Sequence, residues 1–160
     1  SSFLYVAKNF QKGMSPQIMS WGEEGDDPGP SQFLMDFQWQ GTKDMSAFLA
    51  IPSAIRFLQK NKWKEKSVIS KNLISHLAGR LKHILGTESL FKNKNWIGQM
   101  ISHPLPTNSP INLKDILWND FKIEVPIFEW KKRNFIRVSA HFYNDQKDMD
   151  HLIKALKEIF

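Results

Sequence analysis

Cysteine is missing from all 160 residues. Disulfide scaffolds, thiolate zinc sites and cysteine nucleophiles are thereby excluded within this stretch. Also lacking is any apolar run near the roughly 20 residues that cross a bilayer. The opening Ser1-Ser-Phe-Leu-Tyr-Val-Ala-Lys8 has neither a basic leader nor a cleavage-site pattern, so the expectation is a soluble, cytoplasmic chain. The five histidines (His76, His83, His103, His141 and His151) show no metal-ligand spacing, and no metal is expected. There is no internal repeat and no low-complexity tract.

What is present suits a folded body. Hydrophobic residues make up 41% and aromatics 12%, enough for a domain that hides about 70% of its unfolded surface. The net charge of +6 is concentrated between Lys60 and Lys94, where nine basic residues are opposed only by Glu65 and Glu88. These lysines alternate with an apolar stripe, as on a solvated helix face, and no Gly-aromatic strand signature accompanies them. A basic module binding nucleic acid or an acidic partner is the alternative reading, and a small structural interaction domain is another. The acids Glu23, Glu24, Asp26 and Asp27 fall in a Gly/Pro-rich loop, Gly22–Ser31, where solvation explains them.

Along the chain, Phe3–Ala7 has the β-rich composition of a strand, and Gln17–Trp21 that of a second extended segment. Asp44 suits the start of a helix interrupted at Pro52, which restarts and runs to about Gln59 with Ala54, Ile55 and Leu58 on its buried side. Between Lys64 and Leu85, Ile69, Leu73, Leu77 and Leu81 recur at helical spacing, with Gly86 as terminator. Trp96–Ile101 reads as a strand, Pro104 and Pro106 as loop, and Asn112–Asn119 as a short helix. Lys122–Trp130 and Asn134–Ala140 form an antiparallel hairpin across Lys131-Lys132-Arg133. A last helix follows from Met149, Leu152, Ile153, Leu156 and Ile159, with Asn144 and Asp145 as candidate caps. Helices and strands mix without βαβ alternation, so the fold class is α+β, with helices on a small, mainly antiparallel sheet.

Two stretches carry the chemistry. In Trp39-Gln-Gly-Thr-Lys-Asp44, Gly41 clears a path for close backbone approach, and Thr42 offers a hydroxyl and an N–H to one anion. Read locally, it is equally an ordinary polar turn before a helix. In Ile136-Arg-Val-Ser-Ala-His-Phe-Tyr-Asn144, Arg137 presents a fork of parallel donors suited to a carboxylate. Read locally, an arginine on a hairpin is commonly exposed without a role.

Taken together, the two stretches resemble the carboxyl-terminal third of the class V aminotransferases, pyridoxal-phosphate enzymes of fold type I. The isopenicillin-N-epimerase-like branch is the most similar, and the resemblance covers nearly the whole chain. It implies that residues 1–43 are the end of the large domain, with a trailing strand and a segment crossing between subunits, and that 44–160 are the small carboxyl-terminal domain. It implies pyridoxal phosphate as cofactor, a homodimer, and an amino acid or amino-acid-containing peptide as substrate. Gly41 and Thr42 would meet the phosphate held by the neighbouring subunit, and Arg137 the substrate carboxylate. Trp21 and Trp39 would line the cofactor cavity. The family's Schiff-base lysine would lie upstream of Ser1, leaving this stretch inert by itself. The family's cysteine desulfurases use a loop cysteine in this domain, so its absence leaves an epimerase, a lyase or a transaminase.

Overall fold

In the computed structural model of the chain, residues 2–19, 22, 31–38 and 41–160 are described. They fall into two compact units, Ser1–Phe57 and Leu58–Phe160. Trp21, Trp39 and the acids between Glu23 and Asp27 lie outside the described residues.

The first unit is built of short helices: α1 (Lys8–Gln11), α2 (Gln32–Gln38), α3 (Ser46–Leu49) and α4, which spans Ile51–Lys60. The strand expected at Phe3–Ala7 does not form; residues 2–7 pair with no neighbour among the described residues, and α1 follows. Strand composition becomes a strand only beside a sheet edge, and here Phe3 and Tyr5 stay exposed, at 93% and 80%. Residues 17 and 18 are a bend rather than part of an extended segment. Gly22 is buried so close to α2 that a Cβ there would overlap the Met35 carbonyl. The Gln32 amide donates to the Gly22 carbonyl at 3.3 Å. The break at Pro52 is as expected: α3 ends at Leu49, and α4 places the proline in its first turn, where no N–H is needed. The face of α4 expected to be buried is exposed, with Ile55 at 50% and Leu58 at 36%. Helical periodicity selects a face, but burial requires a packing partner.

The second unit carries the sheet. α5 (Trp63–Leu85) ends on Gly86 in the left-handed conformation at φ 62°, and its N–H bonds to the Lys82 carbonyl. A 3₁₀ turn at Lys94–Trp96 replaces the first part of the expected strand. β1 is instead Met100–Pro104. It is an edge strand, in sheet order β1-β3-β2, which tolerates Pro104 although no N–H is available there. α6 (Leu113–Phe121) precedes β2 (Ile127–Trp130), which starts after Pro126, later than Lys122. β3 (Arg133–Ser139) is the central strand, antiparallel to both neighbours. α7 (Gln146–Ile159) closes the unit.

Alternation along β3 divides the sheet. Ile136 and Val138 face inward with Ile101 of β1, joining Leu77 and Leu81 of α5, Leu117 of α6, and Leu152 and Leu156 of α7 in one core. Arg80 of α5 and Asp150 of α7 form an ion pair across the helices. α7 begins with a capping box: the Asp145 carboxylate accepts from the Lys147 and Asp148 N–H groups, while Asp148 accepts from the Asp145 N–H at 3.1 Å. This is the α+β arrangement expected, helices layered on a small antiparallel sheet.

Candidate functional site

In the first unit, Gly41 adopts φ 110°, a conformation that L side chains rarely take, and among the described residues beyond its chain neighbours nothing lies within 4 Å of where its Cβ would be. Thr42 is exposed and its hydroxyl has no hydrogen-bond partner among the described residues. After it, Lys43 Nζ reaches the Gln38 carbonyl at 3.5 Å and lies 5.3 Å from the Phe48 ring centre. Asp44 accepts from the Ser46 N–H at 2.9 Å and from its hydroxyl at 2.8 Å. The Ser46 backbone bond, followed by its side-chain bond, holds the Asp44 carboxyl below the ordinary carboxylate value. A turn with an unhindered backbone and an unpaired hydroxyl therefore stands open to an anion, so these residues fit a phosphate. Beside it, a cavity of about 310 Å³ is lined by Phe3, Phe33, Phe37, Lys43 and Phe48, among others.

In the second unit, Arg137 occupies the middle of the central strand. Its N–H donates to the Pro126 carbonyl at 2.9 Å and it stands opposite Ser102 of β1. Both sides of its backbone are thus fixed, while its side chain is exposed on the face away from the helices. Its guanidinium meets no carboxylate among the described residues. Phe135, two residues earlier on the same face, is buried beneath Phe128 and Trp130, with ring centres 5.7 and 6.1 Å away. The Arg133 guanidinium also covers Phe135, 5.8 Å from the ring centre. A rigid strand that projects unpaired guanidinium from an aromatic floor can hold a carboxylate.

The residues beyond β3 turn elsewhere. The His141 ring stacks on Trp63 at 4.3 Å, and its backbone N–H donates to Asn144 Oδ1 at 2.9 Å, so the segment after Arg-Val-Ser-Ala140 ties the strand to the capped start of α7. His103, on the inner face of β1, is wholly buried. The Thr87 hydroxyl donates to the Pro104 carbonyl at 2.7 Å, which leaves it as acceptor for His103 Nε2–H at 3.0 Å. Nδ1 then has no partner, and burial pushes the imidazole below its ordinary value. Nothing in the sequence pattern marks His103 as buried, because its partner is sixteen residues away. His76 and His83 are exposed, and no group of three potential metal ligands occurs among the described residues. The basic run on α5 is partly neutralised in place, by Arg80 with Asp150 and by Lys82 with Glu88 at 2.9 Å. Among the described residues no helix is long and apolar enough to cross a membrane.

Arg133 shares the outer face of β3 with Arg137, a placement not drawn from the sequence. Its parity with Arg137 was the available signal, but it sits in a Lys-Lys-Arg run that reads as an ordinary charged turn.

Comparison with known proteins gives this geometry a context. No protein-family model matches the chain. An isopenicillin N epimerase of Amycolatopsis lactamdurans is 30% identical over 98% of the chain, and that of Streptomyces clavuligerus is 26% identical over 96%. The chain spans 42% of the length of each relative. Among solved structures, 8-amino-7-oxononanoate synthase from Francisella tularensis matches 78% of the chain and 35% of its own, with a TM-score of 0.56 at 17% identity, a likeness of fold.

Proposed function

From a chain homologous over almost all of its length to part of the isopenicillin N epimerases, we propose a role as the carboxyl-terminal part of a pyridoxal-phosphate enzyme. It acts on an amino acid or an amino-acid-containing peptide, as an epimerase, a lyase or a transaminase. When bound, the cofactor withdraws electrons from the substrate α-carbon so that a bond there can break. This chain's own residues bind and orient. Gly41 and Thr42 offer a backbone approach and a hydroxyl to the phosphate of the cofactor in a neighbouring subunit of a homodimer. Arg137 takes the substrate carboxylate and so sets which α-carbon bond is presented. Residues 1–43 serve as the end of the large domain and the segment crossing between subunits, and 44–160 as the small carboxyl-terminal domain, with Trp21 and Trp39 lining the cofactor cavity.

The observation that carries this reading is the exposed guanidinium of Arg137, without a carboxylate partner among the described residues, on a backbone pinned from both sides. Lysine lacks the planar fork. Arg137→Lys in the cofactor-loaded protein should lower kcat/KM by an amount equivalent to ~2–5 kcal/mol, and unchanged specificity constants refute the assignment. The reading assigns the cofactor-bearing lysine to none of the lysines among residues 1–160. Borohydride reduction that fixed cofactor to any of them would overturn that part.

A further inference from the structure

Arg133 and Arg137 lie four residues apart on β3, so both project from the outer face of the sheet. At the ordinary strand rise their Cα atoms are about 13 Å apart. The Arg133 guanidinium leans over Phe135, the residue midway between them. Neither guanidinium has an acidic partner among the described residues, whereas Arg80 is ion-paired with Asp150. The acid on the same hairpin, Glu129, is in register with Asn134 and belongs to the opposite face by alternation. Lys131 and Lys132 at the adjoining turn add positive potential. The accessible surface beside the two arginines is apolar: Phe128 and Trp130, 37% and 54% exposed, close over Phe135, which is 1% exposed. Two cations across an apolar floor form a two-point receptor for a molecule with an acid at each end.

Resting on the assignment of Arg137 above, we propose that Arg133 binds a second, distal carboxylate of the substrate. The substrate class is then an extended amino acid or short peptide with two carboxylates and an apolar middle. Each group has a separate duty: Arg137 fixes the carboxylate next to the reacting carbon, and Arg133 selects by length and charge. Arg133 is thus a specificity-determining residue rather than a catalytic one.

Equilibrium binding to the full protein tests this, with straight-chain dicarboxylates from succinate to azelate and their monomethyl esters as probes. Arg133→Met keeps an apolar cover on Phe135 while removing the charge, so folding is preserved. At the best-fitting length the dicarboxylate should bind about tenfold tighter than its monoester, the worth of one charge-assisted contact near a surface. Arg133→Met should abolish that difference and leave monoester affinity unchanged, while Arg137→Met should weaken both. If diacid and monoester bind alike while both depend on Arg137, the second subsite is wrong and the Arg137 reading stands. If Arg137→Met leaves all binding unchanged, or no carboxylate binds, both fall.

Discussion

The turn between β2 and β3 offers a sharp test of the hairpin on which Arg133 and Arg137 sit. Trp130 and Arg133 are paired, so Lys131 and Lys132 form a two-residue loop, and both have positive φ, 48° and 60°. This is the backbone of a type I′ turn, which favours Asn-Gly because an L side chain in the left-handed region is strained by roughly 1–2 kcal/mol. Lys132→Gly removes that strain at the second loop position. Glycine adds roughly 0.5–1 kcal/mol of backbone entropy to the unfolded chain, so the net gain is about 0.5–1 kcal/mol. Lys131 is left in place because it lies 4.7 Å from the Trp130 ring centre, a cation–π contact worth keeping. Thermal unfolding should show the midpoint raised by about 2–6 °C for a unit of this size. Lys132→Val removes the same charge but places a β-branched side chain at positive φ, and should lower the midpoint. If the two variants shift stability in the same direction, charge rather than backbone conformation governs the turn, and the register assigned to the hairpin is refuted.

Three further outcomes follow from particular contacts. Asp145→Ala removes the carboxylate that caps α7, and should cost about 1–2 kcal/mol in chemical denaturation, whereas Asp145→Asn should cost much less; equal losses would mean the capping box contributes little. Burial lowers the pKa of His103 from its ordinary value of 6.5, so the unfolded chain takes up a proton more readily than the folded one. The neutral form's contribution is complete above about pH 6.5 and declines as pH falls through that value toward the folded pKa; unfolding midpoints measured across this range should drop, and His103→Gln should flatten the slope. Thr42→Val keeps the shape of the Gly41–Thr42 turn but removes the hydroxyl, and should weaken cofactor retention by about tenfold in a dialysis or absorbance titration; full retention would detach Thr42 from the phosphate.

Much of the second unit was legible in the sequence because its signals are local. The apolar period of α5, its Gly86 terminator, and the Asp145 cap of α7 each specify an element within a few residues. The hairpin was also legible as two β-rich runs around a short charged turn. The start of β1 was not, because edge strands are set by the neighbour that pairs with them: Met100 aligns with Ser139, and the chain before it is free to form a 3₁₀ turn. The same reasoning explains Phe3–Ala7, whose composition suits a strand but which has no paired neighbour among the described residues. At the site, Gly41, Thr42 and Arg137 came from motif residues that need no folding to be noticed. The aromatic floor beneath Arg133 required register, since Phe128 and Phe135 become neighbours only once β2 and β3 are aligned.

The proposed function gives Thr42 to the cofactor phosphate of a neighbouring subunit and Arg137 to the substrate carboxylate. A crystal structure of the full protein with a reduced phosphopyridoxyl–amino acid tests it most directly. The phosphate is expected within hydrogen-bond reach of Thr42 of one subunit, and the amino-acid carboxylate forked by the Arg137 guanidinium. A carboxylate held by other residues, with Arg137 in solvent and Thr42 remote from the phosphate, would contradict it.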